Sequence, residues 1–424
     1  MKKFTKGSER LSKYAIAAMF SLALLAGCGG GGGGGGPSSP GVGIAPATKL
    51  AVNPAANILP ISVNVGPTNR VNQLFTSVTV CAPGSSTDCQ TIDGILVDTG
   101  STGLRLLASA LAAVSLPQQT DAAGSPFAEC AQFAEGFSWG PVKIADVRIA
   151  GEQADSLPIQ VIGDPAFSSI PAGCSRTGRS MSTVQSLAAN GFLGIGAFRH
   201  DCGDACVQNG STGIYYACPS SGCQPAAIPL AEQVTNPISM FADDNNGVIV
   251  QLPAVPAIGA ASVEGSLIFG IGTRTNNALG SASVFALSSL TGGLTTFYNG
   301  SISGNSFIDT GSNAFFFREA GFPTCSNATV GAGFDCPVTT QDLSATIQGS
   351  NGTNASISFS VANANSLLAD GFGAFNNLAA PITWTSISLP NFIWGLPFFF
   401  GRSIFLAFEG ADVPGAPAGP FVAF

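Results

Sequence analysis

Two aspartates of the chain stand at the end of apolar runs and open the same Asp-Thr-Gly-Ser motif. Asp98 lies in ILVDTGST, and Asp309 lies in FIDTGSN. A single copy is ordinary turn chemistry, because Asp and Ser bond the local backbone and Gly adopts unusual dihedral angles. Burying an acid at the end of an apolar strand costs free energy, so its presence there indicates a specific role. Two copies in the same setting therefore favour one shared site over two separate turns.

A pair of carboxyl groups about 3 Å apart cannot ionise twice and holds one proton between them. One member then deprotonates a water while the other donates a proton to a carbonyl oxygen. Such a pair hydrolyses an amide without a metal or another cofactor. Gly after each acid lets the backbone come close, and the Thr and Ser hydroxyls are expected to bond the carboxylates. The residues predicted to support the two acids are Thr99, Gly100, Ser101, Thr310, Gly311 and Ser312.

The chain has a single histidine, His200, and this limits the other hydrolytic mechanisms. A Ser-His-Asp triad would have to use it, and no Gly-x-Ser-x-Gly motif accompanies it. Zinc hydrolases usually need two or three histidine ligands. If the protein is a hydrolase, carboxylates must do the work, and we expect no metal and no cofactor.

The order of motifs along the chain resembles that of pepsin-like, two-lobed aspartic peptidases. ILVDTGST and FIDTGSN resemble the two catalytic loops, FLG (192–194) and FIWG (392–395) resemble the signals that close the two active-site loops, and GSLIFG (265–270) resembles the start of the second half. The tail from residue 395 resembles the closing segment, whose last strand pairs back into the sheet. The resemblance implies that Asp98 and Asp309 are the catalytic acids of an endopeptidase.

The same resemblance places a flap, a hairpin over the cleft, at residues 133–151. Gly136 suits a mobile tip. The family usually has a tyrosine where this chain has Phe133, which lacks the hydroxyl. Trp139 could supply an N–H donor instead, or both aromatic residues could simply pack the hairpin. Asn313, after the second acid loop, is another departure, because the family often has Ser or Thr there.

The composition favours a mostly β protein and the length fits two lobes, while the resemblance implies that the lobes have a pseudo-two-fold relation and a cleft between them. Only 9% of the 424 residues are charged, Gly (54), Pro (27) and Phe (30) are frequent, and no long stretch has helical periodicity. We assign residues 49–275 to an N-terminal lobe with the flap and a Cys-rich insertion, and residues 276–424 to a C-terminal lobe.

The N-terminus predicts export. A basic start and a short apolar run end in Leu-Ala-Gly-Cys, which resembles the lipobox of bacterial lipoproteins. This implies a signal peptide over residues 1–27, lipidation of Cys28 and, since Gly29 is not Asp, an outer-membrane address in the cell envelope. Residues 28–48, with eight consecutive glycines, form a flexible tether. The rival interpretation is an ordinary signal peptide with a chance cysteine.

Cleavage would remove five basic residues and one acidic residue and change the net charge from −8 to −12. A chain this acidic is repelled by phosphates, so we expect no nucleic acid as partner. The expected partners are a peptide or protein substrate and, through Cys28, the membrane. We expect a monomer.

Ten of the 11 cysteines remain after Cys28, and an even number in an exported chain suggests disulfides. The rival interpretation is a metal site at Cys202-x₃-Cys206 and Cys218-x₄-Cys223. The expected pairs join near neighbours: Cys81–Cys89, Cys130–Cys174, Cys202–Cys206, Cys218–Cys223 and Cys325–Cys336.

Three hypotheses follow for the function. The first is an active aspartic endopeptidase that cleaves an extended peptide held in the cleft. The second is a catalytically inactive, pepsin-fold binding lipoprotein, which the altered flap permits. The third is a structural surface lipoprotein with a generic β-sandwich, which requires the two acid loops to be a coincidence and the two aspartates to lie far apart.

Overall fold

We describe the protein from a computed structural model, in which residues 56–134, 136–382 and 390–424 are described. This part of the chain is mostly β, so the expected fold class is confirmed. The predicted signal peptide, Cys28 and the tether lie outside the described residues. Within the described ranges, no helix is long and apolar enough to cross a bilayer.

The described residues form 23 strands in two sheets, and each acid loop follows a strand of a different sheet. In chain order the strands are β1 (Ile58–Asn64), β2 (Gln73–Cys81), β3 (Cys89–Asp98), β4 (Thr102–Leu107), β5 (Phe127–Phe133), β6 (Gly136–Ile149), β7 (Glu152–Ile162), β8 (Arg179–Ser180), β9 (Gly191–Ile195), β10 (Tyr215–Ala217), β11 (Gln224–Pro225), β12 (Gly247–Leu252), β13 (Val263–Phe269), β14 (Val284–Ala286), β15 (Leu294–Tyr298), β16 (Ser301–Ile308), β17 (Phe315–Phe317), β18 (Gln341–Gln348), β19 (Asn354–Val361), β20 (Ala379–Pro381), β21 (Phe392–Trp394), β22 (Arg402–Ala407) and β23 (Phe421–Ala423).

Helices are short and lie in the connections. The α-helices of the described part are α1 (Ala172–Ser175), α2 (Val184–Leu187), α3 (Asp204–Gln208) and α4 (Ala364–Leu367). The 3₁₀ turns are Gly66–Thr68, Ala108–Ala110, Pro165–Phe167, Gly210–Thr212, Leu230–Glu232, Pro237–Met240, Leu368–Asp370 and Leu396–Phe399. Gly and Pro recur too often along the chain for longer helices to form.

The first sheet runs in the order β11-β10-β5-β6-β7-β4-β9-β3-β2-β1-β13-β12-β22-β23-β14, with β8 paired to β6. Its centre is apolar because β4 is buried along its whole length and the last four residues of β3 are buried as well. The predicted Cys-rich insertion supplies β10 and β11, which extend the sheet beside the flap strand β5.

The second sheet runs in the order β19-β18-β15-β16-β21-β17-β20. Its core is a cluster of aromatic rings whose neighbouring centroids lie 4.7–6.2 Å apart, the spacing at which aromatic pairs attract each other. The rings belong to Phe315, Phe317, Phe359, Phe392 and Trp394. This cluster packs beneath the strand that leads into Asp309, which explains the many Phe residues of the C-terminal half.

Three strands that follow residue 275, namely β14, β22 and β23, belong to the first sheet. β22 pairs with β12 along six residues, and β23 pairs with both β22 and β14. The predicted division at residue 275 therefore separates the two acid loops, while the first sheet takes strands from both sides of it. The return of the last strand into the sheet is the closing arrangement that the resemblance implied.

All five expected disulfides are present, which confirms the predicted pairs. Two of them enclose the residues for which a metal site was the rival interpretation, Cys202–Cys206 and Cys218–Cys223. Disulfide sulfurs are not free thiolate ligands, so that interpretation is wrong for this form of the protein.

Candidate active site

The structure brings the two predicted acids together at the junction of the two sheets. Asp98 ends β3 and is fully buried, and Asp309 follows β16 with 4% of its surface exposed. Their carboxyl groups lie close enough for each to shift the pKa of the other. A Cβ atom added at Gly100 would lie 2.7 Å from Asp309 Oδ1, so only glycine permits this approach. Two acids far apart in sequence thus form one site.

Each carboxylate lies in the same cradle of its own loop. The Gly100 N–H donates to Asp98 Oδ1 over 2.8 Å, and the Ser101 hydroxyl donates to Asp98 Oδ2 over 2.5 Å. The second loop repeats both bonds at the same lengths, from Gly311 and Ser312. These hydrogen bonds fix the orientation of both carboxyl oxygens of each acid, because charge-assisted hydrogen bonds are short and strong.

The two threonines have a different role from the expected one. Thr99 N–H donates to Thr310 Oγ1 and Thr310 N–H donates to Thr99 Oγ1, both over 3.0 Å. Each hydroxyl donates in turn to a carbonyl of the other half, Thr99 to Ile308 over 3.1 Å and Thr310 to Val97 over 2.8 Å. The prediction that these hydroxyls bond the carboxylates is wrong. They lock one acid loop to the other.

FLG and FIWG lie beside the acid strands. β9 runs parallel to β3 and places Gly194 opposite Asp98, and β21 runs parallel to β16. The Asp309 N–H donates to the Trp394 carbonyl over 2.9 Å. A Cβ at Gly194 would lie 2.8 Å from the Thr102 backbone, and one at Gly395 would lie 2.0 Å from the Ala314 carbonyl. Glycine ends both motifs because another backbone passes at that point.

Burial raises the pKa of both acids, and unequally. The pKa of Asp309 is raised well above its usual range, first by burial and then by the charge of Asp98, against the opposing bond from Ser312. Burial also raises the pKa of Asp98, but the hydrogen bonds from Ser101 and Asp309 oppose it. The titration belongs to the pair. With one proton bound, the two carboxyl groups hold it between them.

The predicted flap is a hairpin in which β5 and β6 pair from Phe133–Gly136 outward. Phe133 packs against Phe192 at a centroid distance of 5.4 Å. Trp139 donates its ring N–H to the Phe167 carbonyl over 2.8 Å and packs edge-on against Tyr216. The indole N–H is thus occupied by a loop outside the hairpin and does not replace the missing tyrosine hydroxyl.

A cavity of about 110 Å³ lies between the first acid loop, the flap and the strand that leads to the second acid. Thr99, Gly100 and Ser101 line one side, Phe133 lines another, and Ile308 faces them. Asp98 and Asp309 are not among the lining residues, although the first acid loop and the end of the strand before Asp309 are. The cavity therefore adjoins the acid pair.

The chain matches, over residues 53–424, the family described as "Protein of unknown function (DUF3443)". It belongs to that family. No curated protein matches the sequence. Among solved structures, an aspartic proteinase from Irpex lacteus is similar, with 15% identity, a TM-score of 0.48 and coverage of 87% of this chain and 96% of that chain. The strand pairings described above carry the fold assignment.

Two sets of functional residues of this DUF3443 protein escape the sequence analysis. The Asn72 amide donates to the Asn313 carbonyl over 2.8 Å and so tethers the second acid loop to the first half of the chain. A buried ionic cluster forms around Arg105, which interrupts the apolar run LRLL. A charged residue within an apolar run could have indicated the cluster. No feature of the neighbouring sequence indicated a role for Asn72.

Replacement of Thr310 by Val should destabilise the protein. The change leaves the Val97 carbonyl without its donor and the Thr99 N–H without its acceptor, and each buried group left unpaired costs about 1–3 kcal/mol. The free energy of unfolding, measured with urea under non-reducing conditions, should fall by that amount or more. The exposed Thr87→Val is the matched control and should stay within about 0.5 kcal/mol of the parent. Equal unfolding midpoints for the two variants would contradict the proposed lock between the loops.

Proposed function

We propose that this protein is an aspartic endopeptidase in which Asp98 and Asp309 act on a peptide bond through one shared proton. The observation that supports it best is the contact of the two carboxyl groups inside equivalent cradles. Such a pair in an apolar surrounding is costly for a protein that needs only a turn. The substrate would be an extended peptide under the flap.

The proposed reaction needs no group outside the chain except water. Asp98 takes a proton from the water while the water oxygen attacks the peptide carbonyl carbon. Asp309 donates its proton to the carbonyl oxygen. A neutral gem-diol results. Asp98 then gives its proton to the amide nitrogen, one hydroxyl of the diol returns a proton to Asp309, and the C–N bond breaks. The products are an acid and an amine, and the pair again holds one proton.

The sign of the pH dependence follows from this proton count. Above the upper pKa of the pair both acids ionise, and the proton donor is lost. Below the lower pKa both are protonated, and the base is lost. Because burial raises the pKa of both acids, the active pH range lies higher than it would for a pair of exposed carboxyl groups.

A second candidate function is binding of a peptide without cleavage. The near-complete burial of both acids favours it, as does a flap whose Phe133 has no hydroxyl and whose Trp139 N–H is already bonded. The third hypothesis, a generic structural β-sandwich, required the two aspartates to lie apart, and their contact speaks against it.

Asp98→Asn and Asp309→Asn each should abolish cleavage, because each removes one half of the acid–base pair. We expect a loss of about 10²-fold to 10⁴-fold in kcat/KM, measured on fluorogenic peptides with the full chain in detergent. The matched control is Asp370→Asn, an exposed acid whose replacement should leave the rate unchanged.

Circular dichroism of each variant shows whether the fold is kept. Cleavage by a folded Asn variant at the parental rate would refute the proposed chemistry. If the parent binds a pepstatin-type inhibitor but cleaves no peptide, the binding function is the correct one.

We further propose that the protein is exported and anchored in the bacterial envelope through lipid on Cys28. The Leu-Ala-Gly-Cys sequence supports this proposal, together with the pairing of the other ten cysteines in disulfides. Five disulfides are typical of an oxidising compartment.

Cys28→Ser should abolish incorporation of a clickable fatty acid and move the protein from the membrane fraction to the soluble fraction. The parent chain is the control, because its other cysteines are paired and cannot accept lipid. Equal labelling of the variant and the parent would contradict the anchor.

A further inference from the structure

A second group of buried charges lies beside the acid pair and takes no part in the proposed reaction. Arg105 Nη2 lies 2.5 Å from Glu129 Oε1 and 3.0 Å from Asp201 Oδ2, and Arg105 Nη1 donates to the Thr102 carbonyl over 2.6 Å. Tyr215 donates its hydroxyl to Asp201 Oδ1 over 2.7 Å. The side chains of Arg105, Glu129 and Asp201 are at most 8% exposed. We call these three residues the charged cluster.

The charged cluster contains two carboxyl groups and only one cation. Tyr215 adds no positive charge, and its pKa is raised well above the usual range, chiefly by burial. Burial, and then the charge of Glu129, also raise the pKa of Asp201 well above its usual range. With Asp201 protonated, the charged cluster is neutral. It is a second acid pair, unlike the first in having an arginine alongside.

Two atoms of the charged cluster are buried without a partner within the described residues. Neither Glu129 Oε2 nor Arg105 Nε has a hydrogen-bond partner among these residues. Buried polar groups are almost always paired. A free carboxylate oxygen on a fully buried side chain therefore indicates that a ligand group completes the arrangement.

The charged cluster forms the polar wall of the cavity that adjoins the acid pair. Arg105, Glu129 and Asp201 line it together with residues 99–102 of the first acid loop. The opposite walls, which include Phe133 and Phe307, are apolar. The volume of about 110 Å³ is well above the roughly 10–15 Å³ that one water requires on this measure, so the end of one long side chain can enter the cavity.

We propose that this cavity is a substrate subsite that selects a basic side chain, Lys or Arg, close to the bond that is cleaved. The inference rests on the proposed peptidase function and names its specificity. The apolar walls would hold the methylene stem, and the ammonium or guanidinium group would bond Glu129 Oε2 and Asp201. On binding, Asp201 releases its proton to solvent and its carboxylate pairs with the incoming cation.

Other side chains fit the cavity less well. An acidic side chain would bring a third carboxyl group to a single guanidinium that already contacts two. An apolar side chain would fill the space but leave Glu129 Oε2 unpaired. A basic side chain satisfies the free oxygen and balances the extra carboxyl group. A bound basic side chain would also contact two elements at once. Glu129 lies on the flap strand β5, and Arg105 lies on β4, the strand that follows the first acid loop.

The first test compares peptides that differ at one position. Lys, Gln, norleucine and Glu are placed in turn at each of the four positions on either side of the cleaved bond, and kcat/KM is measured with the full chain in detergent. At one position Lys should exceed norleucine by about tenfold or more. Equal rates for Lys and norleucine at every position would overturn the proposal, and this arm needs no variant.

The second test removes the carboxylates. Asp201→Asn and Glu129→Gln should each reduce the ratio of Lys to norleucine to about threefold or less, while the exposed Asp370→Asn should keep the parental ratio. Each variant is checked by circular dichroism. Because Glu129→Gln removes a buried partner of Arg105 and can fail to fold, Asp201→Asn decides in that case. A ratio that survives in folded Asp201→Asn would overturn the proposal.

The third test separates this inference from the peptidase function. Calorimetry measures binding of the Lys and norleucine peptides to the Asp309→Asn protein, which cannot cleave them and has no proton shared by the first pair. The Lys peptide should bind about tenfold more tightly and, from buffers of different ionisation enthalpy, release about one proton in mild acid. Equal affinities would refute the subsite even if peptides are cleaved. Selective binding without any cleavage by the parent would instead refute only the peptidase function.

Discussion

The structure depends on two carboxyl groups that are forced into contact in a buried place. Asp98 and Asp309 cannot both be charged there, and the proton that they retain is what makes the contact tolerable. The surrounding features serve this contact. The reciprocal hydrogen bonds between Thr99 and Thr310 hold the two loops together, and the Gly and Ser donors orient each carboxylate. A glycine on β9 and another just after β21 let the neighbouring backbone pass closely.

Local patterns in the sequence predicted much of this arrangement. Apolar runs before each acid are the ends of β3 and β16, and the FLG and FIWG motifs lie parallel to those strands. The disulfides were predictable because most of them join cysteines close in sequence. Each of these features depends on a few consecutive residues. The contact between the two acids is long-range, and it was predictable because the acid loop occurs twice.

What the sequence did not predict depends on contacts between distant segments. The threonines follow the acids directly, yet their hydroxyls bond the other half of the chain and not the carboxylates. Trp139 has a donor, but Phe167 from a later loop accepts it. The charged cluster joins β4, β5 and the loop after β9, so no single stretch contains its pattern. These partners are set by how the two sheets and the flap pack, which composition and spacing do not encode.

The most direct test of the account is titration of the two carboxyl groups by NMR, with ¹³C at the aspartate side chains and Asp98→Asn and Asp309→Asn for assignment. The account predicts two coupled steps that belong to the pair, the upper one well above the ordinary value of about 3.9 and lost in Asp309→Asn. If the two groups titrate independently near that ordinary value, and neither responds to replacement of the other, they share no proton and the account is wrong.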